Sequence, residues 1–179
     1  NTTGAQNTAV GQNALVANTT GARNTAIGFG ALTSNTTAGN NTAVGDGSLT
    51  NNTTGAGNTA VGLGALETNS TASNNTAVGY LTLLANTTGT NNVGVGYNSL
   101  TSNTTGGQNT AFGAISLDAS TTGVYNTAYG YAALSGNQTS SYNVAIGPFS
   151  QFVATGGTTN TSVGYDSLAA LTGGDANVA

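Results

Sequence analysis

Few side chains in this sequence are able to act as catalytic acids, nucleophiles or metal ligands. The chain lacks cysteine, histidine, methionine and tryptophan. Its charged residues, one cation and five acids, are Arg23, Asp46, Glu67, Asp118, Asp166 and Asp175. Nucleophilic, acid–base and transition-metal sites are most often built from histidine, cysteine or paired carboxylates. We therefore expect that the protein is not an enzyme and that it binds no metal and no cofactor.

The placement of these charges also bears on calcium, nucleic acid and membranes. The acids are scattered over several positions of the repeat described below, and the Gly-rich calcium-binding nonapeptide is absent. A formal net charge of -4 leaves no basic surface to neutralise phosphates, so we expect no nucleic-acid partner. No apolar run approaches the roughly 18 residues of a membrane span, so we expect no membrane insertion of this segment.

The scarce charges are set in a 17-residue repeat that reads N-T-A-V-G-x-x-A-L-x-x-N-T-T-G-x-x. It recurs without insertion or deletion, which is typical of a solenoid whose coils have equal length. The first Asn of each unit stands at Asn7, Asn24, Asn41, Asn58, Asn75, Asn92, Asn109, Asn126, Asn143, Asn160 and Asn177. The Gly four residues later stands at Gly11, Gly28, Gly45, Gly62, Gly79, Gly96, Gly113, Gly130, Gly147 and Gly164.

Each unit begins with a pattern typical of a short strand. Thr8 and Val10 flank the small Ala9, and period-two alternation places Thr8 and Val10 on one face. The Gly then turns the chain, a second short strand is predicted around Ala14 and Leu15, and N-T-T-G supplies another corner. The predicted fold is all-β, a parallel β-solenoid of about ten 17-residue coils. Residues 1–179 form a single repeat domain, which we expect to be a piece of a longer fibre.

Asparagine is expected to have a structural role at two positions of the repeat. In stacked coils about 4.8 Å apart, equivalent side chains can hydrogen-bond to one another and to the turn backbone as a continuous ladder. We predict such a ladder for the column that starts at Asn7. For the more variable column that starts at Asn18, the simpler role of a turn former is favoured.

A single chain offers little apolar volume per coil, because each unit holds one Val-sized and one Leu-sized residue. Association would bury more surface. The face built from Ala9-type and Ala14-type residues is small and flat enough for another backbone to approach, so we predict that several solenoids pack there as a homo-oligomer.

The N-T-A-V-G-x-x-A-L pattern, seen for instance at Asn24 to Gly28 and Asn58 to Gly62, resembles the head repeats of trimeric autotransporter adhesins of the YadA type. It is also similar to repeats of phage tail fibres and other bacterial surface fibres. The resemblance covers nearly the whole chain and implies a left-handed β-roll, a homotrimeric fibre or a higher filament, and attachment to a host cell or glycan. The implied location is extracellular, on a cell surface or a virion tail fibre. The N-T-T-G insert makes this unit longer than the usual head repeat.

Aromatic residues gather toward the C-terminal half, and four share the column just after the repeated Gly. We treat this column as a candidate adhesive patch, because exposed aromatic rings can stack on sugars; the alternative is packing between coils or chains. Its members are Tyr80, Tyr97, Tyr131 and Tyr165.

Two other functions stay open at this point. One is a phage tail-fibre shaft. The other is a monomeric ligand-binding solenoid that recognises ice or a polysaccharide. Ice-binding solenoids present flat arrays of threonine, and Thr20-type residues do recur in register. These threonines lie at a corner beside Thr19-type residues, and adjacent side chains point to opposite sides of an extended chain, which argues against a flat array.

Overall fold

The computed structural model describes residues 2–153 and 156–179. Ten three-residue strands follow one another in this part of the chain, and no helix occurs among them, so none is found that could cross a membrane. The strands are β1 (Thr8–Val10), β2 (Thr25–Ile27), β3 (Thr42–Val44), β4 (Thr59–Val61), β5 (Thr76–Val78), β6 (Val93–Val95), β7 (Thr110–Phe112), β8 (Thr127–Tyr129), β9 (Val144–Ile146) and β10 (Thr161–Val163).

All ten strands form one parallel sheet in sequence order, β1 to β10. Partner residues lie one repeat apart, so that Thr42 pairs with Thr59 and Val44 pairs with Val61. Each repeat is therefore one coil, and the chain rises by one strand spacing, about 4.8 Å, per coil. The predicted all-β parallel solenoid of about ten coils is confirmed.

The strands form because their residues alternate between solvent and core. In β2, Ala26 is fully buried, Thr25 is half-buried and Ile27 is exposed. Threonine, valine and isoleucine favour extended backbone, and alanine is small enough to face a narrow interior. The buried middle residue recurs in every strand from β2 to β10, with Gly94 and Ser162 in place of Ala in β6 and β10.

The core consists of two columns that face each other inside the coils. One is the strand alanine, and the other is the leucine that follows the second turn, as in Leu32, Leu49 and Leu66, each 0% exposed. This placement corrects one sequence-based prediction. The Ala9-type column, expected to be a contact face between chains, is buried inside the solenoid in almost every coil, and so is much of the Ala14-type column.

The segment around Ala14 and Leu15 is not the strand that was predicted. The leucines have φ between 51° and 54°, and a second left-handed residue precedes each of them by two positions. This alternation coils the backbone so tightly that no extended strand forms. Hydrogen bonds still join successive coils here: Leu32 N–H donates to Ser48 O at 3.0 Å, and Gly47 N–H donates to Phe29 O at 3.0 Å.

The repeated glycine lies at a place where consecutive coils approach closely. Its φ lies between 126° and 142° in all ten copies, a region in which side-chain-bearing residues are strained. A Cβ added at Gly45 would lie 2.5 Å from the carbonyl oxygen of Gly62 in the next coil. Both the backbone conformation and the contact therefore require glycine at this position.

One coil departs from the apolar core. Gln151 occupies the leucine column and is fully buried. Its Nε2 donates to Val144 O at 3.0 Å and to Ser162 Oγ at 2.9 Å, whereas its Oε1 has no partner. A buried acceptor without a donor costs free energy, so glutamine is a less favourable occupant of this column than leucine.

We predict that Gly45→Ala lowers the free energy of unfolding by about 3 kcal/mol, because it combines a strained φ with a backbone collision. Gly47→Asn is the matched control, since Gly47 is left-handed, its nearest neighbour for an added Cβ is 3.7 Å away, and Asn98 holds the equivalent position. Urea denaturation followed by circular dichroism should separate the two variants. Equal midpoints would contradict this account of the glycine column.

Candidate functional site

Residues 2–153 and 156–179 enclose no pocket, and no three His, Cys, Asp or Glu side chains in that part lie within reach of one metal ion. The features that recur along the stack are instead buried polar ladders and exposed apolar columns, and these are the candidates for function.

The first ladder is the predicted asparagine column that starts at Asn7. The backbone N–H of Asn58 donates to Asn41 Oδ1 at 2.9 Å, and Asn58 Oδ1 in turn accepts from the N–H of Asn75 at 2.9 Å. Asn58 Nδ2 donates to the carbonyl oxygen of Ala72 at 2.9 Å. Each amide thus joins two coils, and the predicted ladder is present with its side chains buried from Asn24 to Asn160.

A second ladder runs through the column that starts at Asn18. Asn52 Nδ2 donates to Asn35 Oδ1 at 3.0 Å and to Gly55 O at 2.9 Å, and the same pair of bonds recurs in neighbouring coils. The prediction that these residues are only turn formers is therefore wrong. The ladder stops where Ser120 replaces Asn, which leaves Asn103 Oδ1 without a partner. The regular spacing of this column was the signal that sequence reasoning undervalued.

Threonines beside this second ladder extend the coil-to-coil bonding. Thr53 Oγ1 donates to Ser70 O, and Thr87 Oγ1 donates to Thr104 O, both at 3.0 Å. These are Thr19-type residues, so their hydroxyls are engaged with the next coil. The Thr20-type residues one position later, such as Thr54, are exposed at the corner.

The outer surface carries a band of apolar side chains along the solenoid, here named the apolar stripe. It combines the last residue of each strand with the column after the repeated glycine, and most of its members are exposed. Its members are Val10, Ile27, Val44, Val61, Val78, Val95, Phe112, Tyr129, Ile146 and Val163, together with Phe29, Leu63, Tyr80, Tyr97, Tyr131 and Tyr165. Gln12, Asp46, Ala114 and Pro148 interrupt the second column.

The predicted adhesive column lies within this stripe, and its rings contact one another or a neighbouring phenylalanine. The rings of Tyr80 and Tyr97 are parallel, with centroids 5.5 Å apart. Tyr131 and Tyr165 each meet Phe149 edge to face, with centroids 5.3 and 6.0 Å apart. All four tyrosines pack between coils in this way and remain about half or more exposed, so the adhesive role stays a prediction.

Two further ring pairs lie outside the predicted column. Phe112 stacks on Tyr129 with centroids 5.2 Å apart, and Tyr125 stacks on Tyr142 with centroids 5.0 Å apart. Sequence reasoning grouped these residues only as aromatic. The spacing of one repeat within each pair was the signal that they would stack.

Ionisable groups contribute little to these features. The backbone N–H and the hydroxyl of Thr158 both donate to Asp175 Oδ1, at 2.6 and 3.1 Å. These hydrogen bonds favour the ionised carboxylate and lower the pKa of Asp175. The effect is local to a fully exposed group near the last coil and creates no reactive site.

Comparison with known proteins finds no family model that matches the sequence, no curated protein with significant similarity, and no solved structure with significant similarity.

We predict that Asn58→Ala lowers the free energy of unfolding by about 2–3 kcal/mol, because it leaves the buried N–H of Asn75 without an acceptor and removes one donor from Ala72 O. The Asn75 amide should also exchange with solvent faster. Denaturant unfolding and hydrogen exchange provide the two measurements.

The matched control for this prediction is Asn51→Ala. The Asn51 side chain is exposed, and Ala17 and Ala85 occupy the same repeat position in other coils. We expect its unfolding free energy to stay within about 0.5 kcal/mol of the unaltered protein. A loss as large as that of Asn58→Ala would mean that the ladder is not what distinguishes the buried asparagines.

Proposed function

We propose that this chain is a non-catalytic structural and adhesive repeat region of an extracellular fibre, comparable to the head repeats of trimeric autotransporter adhesins that its sequence resembles. In this proposal, the fibre stands on a cell surface or forms part of a virion tail fibre. It holds a binding surface at a distance from its anchor and resists unfolding through its stacked hydrogen bonds.

The observation that carries the proposal is the continuity of coil-to-coil bonding. Every strand pairs with the next in the same register, and buried amides such as Asn58 link neighbouring coils through both the side chain and the backbone. Such a stack is suited to transmitting load along its axis, since each coil contacts only its neighbours and all of the contacts are alike. No pocket is found in the described part of the chain, so no comparable observation supports a catalytic function.

The apolar stripe supports association of the chain with copies of itself. Leu63 is 47% exposed and Phe29 is 54% exposed. Soluble monomers rarely expose a long contiguous apolar surface, and such surfaces mark protein–protein contacts. We infer a homotrimer in which the stripe, rather than the buried alanine column, lies between chains. Exposed rings outside that contact remain available to a host-cell or glycan receptor.

A second candidate function is a monomeric solenoid that binds ice or a polysaccharide. The observation that favours it is the outer face of the sheet, where Thr25, Thr42, Thr59 and Thr76 stand in register at one strand spacing. This column differs from the corner threonines first considered, and its members alternate with buried alanines on a regular sheet.

We predict that the purified protein has the mass of three chains by light scattering and appears as a thin rod by negative stain. Replacing Val61 and Leu63 together by lysine should shift the mass to one chain, because each buried lysine would have to be desolvated. Thr37→Lys with Thr54→Lys, at the exposed corner, is the matched control and should leave the mass unchanged. A single-chain mass for the unaltered protein would refute the trimer.

Thermal hysteresis of freezing tests the second candidate. We expect none. The threonine column lies on the same strand face as the apolar stripe, so a chain that covers the stripe in the fibre would also keep ice from the threonines. Clear hysteresis that disappears in Thr42→Tyr, a change that breaks the threonine column, would favour the ice-binding solenoid instead. Thr54→Tyr at the corner is the control and should have no effect on such an activity.

A further inference from the structure

Tyr125 and Tyr142 hold two phenol rings together on the surface of consecutive coils. Each residue immediately precedes a buried ladder asparagine, and the two lie one repeat apart. Their ring centroids are 5.0 Å apart with an interplanar angle of 8°, and the side chains are 47% and 54% exposed. The pair lies at the N-terminal ends of its strands, whereas the column that contains Tyr80 and Tyr97 follows the C-terminal ends.

The backbone at these two positions is unusual for an aromatic residue. Tyr125 has φ 57° and Tyr142 has φ 61°, in the left-handed region that bulky side chains rarely adopt. Every coil has a left-handed residue at this position, Gln6, Arg23 and Gln108 among them, so the conformation belongs to the repeat. It holds the two tyrosines in equivalent backbone positions of consecutive coils, which brings their rings together.

We propose that Tyr125 and Tyr142 are a modification site: a preorganised pair that is oxidised to an intramolecular dityrosine crosslink. The oxidant is hydrogen peroxide acting through a haem peroxidase. Each phenol loses one electron and one proton, and the two phenoxyl radicals couple to form a C–C bond between their Cε atoms. The proton on each coupled Cε then moves to the phenol oxygen. Overall, the protein loses two hydrogen atoms, and one peroxide molecule is reduced to two water molecules.

The arrangement favours coupling within the pair over other reactions. The stack fixes the two rings side by side, which gives one radical a very high effective concentration at the other. Both side chains are exposed, so they are accessible to an oxidising enzyme and free to rotate from a stacked to an edge-to-edge geometry. Tyr129 lacks this possibility, because its stacking partner is Phe112, which has no phenol.

The crosslink would tie two coils together close to two departures from the regular stack. Ser120 interrupts the second asparagine ladder in the preceding turn, and Gln151 places an unpartnered acceptor in the core two coils further along. A covalent link across one repeat restricts the unfolded chain, as a disulfide of similar loop length does. The crosslinked protein should therefore unfold at a higher temperature.

The test uses peroxidase and hydrogen peroxide on dilute protein in which Tyr80→Phe has removed the phenol of the other stacked tyrosine pair. We expect blue dityrosine fluorescence, a mass lower by two hydrogen atoms, and a peptic crosslinked peptide containing residues 125 and 142. Denaturing gels should show the product at the mass of one chain. In the same background, Tyr142→Phe keeps a stacked ring but should reduce the fluorescence at least tenfold.

Two further variants separate this pair from general tyrosine oxidation. Tyr129→Phe should leave the crosslink unchanged, whereas Phe112→Tyr should add a second crosslink, to Tyr129. The proposal is overturned if no crosslink forms, if it forms only between chains, or if Tyr142→Phe retains it. None of these outcomes depends on whether the protein is a trimer, which is read separately from the mass of the untreated particle.

Discussion

The fold depends on buried asparagine side chains that have to be satisfied by the neighbouring coils. The amide of an asparagine such as Asn58 both donates and accepts, and water cannot reach it, so its partners must be supplied by the protein at hydrogen-bond distance. That condition is met only if each coil has the same length as the next and lies one strand spacing away. The strict 17-residue register and the repeated glycine at a close approach of the coils follow from it.

The same condition divides the repeat into positions that are fixed and positions that are free to vary. Inward columns are nearly uniform, because a leucine or alanine must fit the same narrow space in every coil. Side chains in the outward columns face solvent, so this limit on their size does not apply to them. The position after the repeated glycine holds Gln12, Phe29, Asp46 and Leu63 in four successive coils. Binding properties can therefore change along the outer surface without any change in the stack beneath it.

The repeat and the first strand of each unit were predictable from the sequence, because register and period-two alternation are local properties that do not depend on packing. The second predicted strand does not form. The side of the first strand that faces the core was not predictable. Ala9-type and Val10-type residues alternate equally well in either orientation, and only the closed coil places the alanines on the side of the buried leucines. The left-handed leucines also escaped prediction, since leucine has no intrinsic preference for that conformation and adopts it because of tertiary packing. The stacked ring pairs were implicit in the spacing, but their exposure was not.

The unbroken register has a consequence for how such a protein changes over generations. Because any coil can follow any other, unequal recombination within the gene can insert or delete whole coils while every junction stays compatible. A change of one unit alters the length by about 4.8 Å, and no intermediate length is allowed. The length of the solenoid therefore evolves in steps of whole coils while its cross-section stays the same.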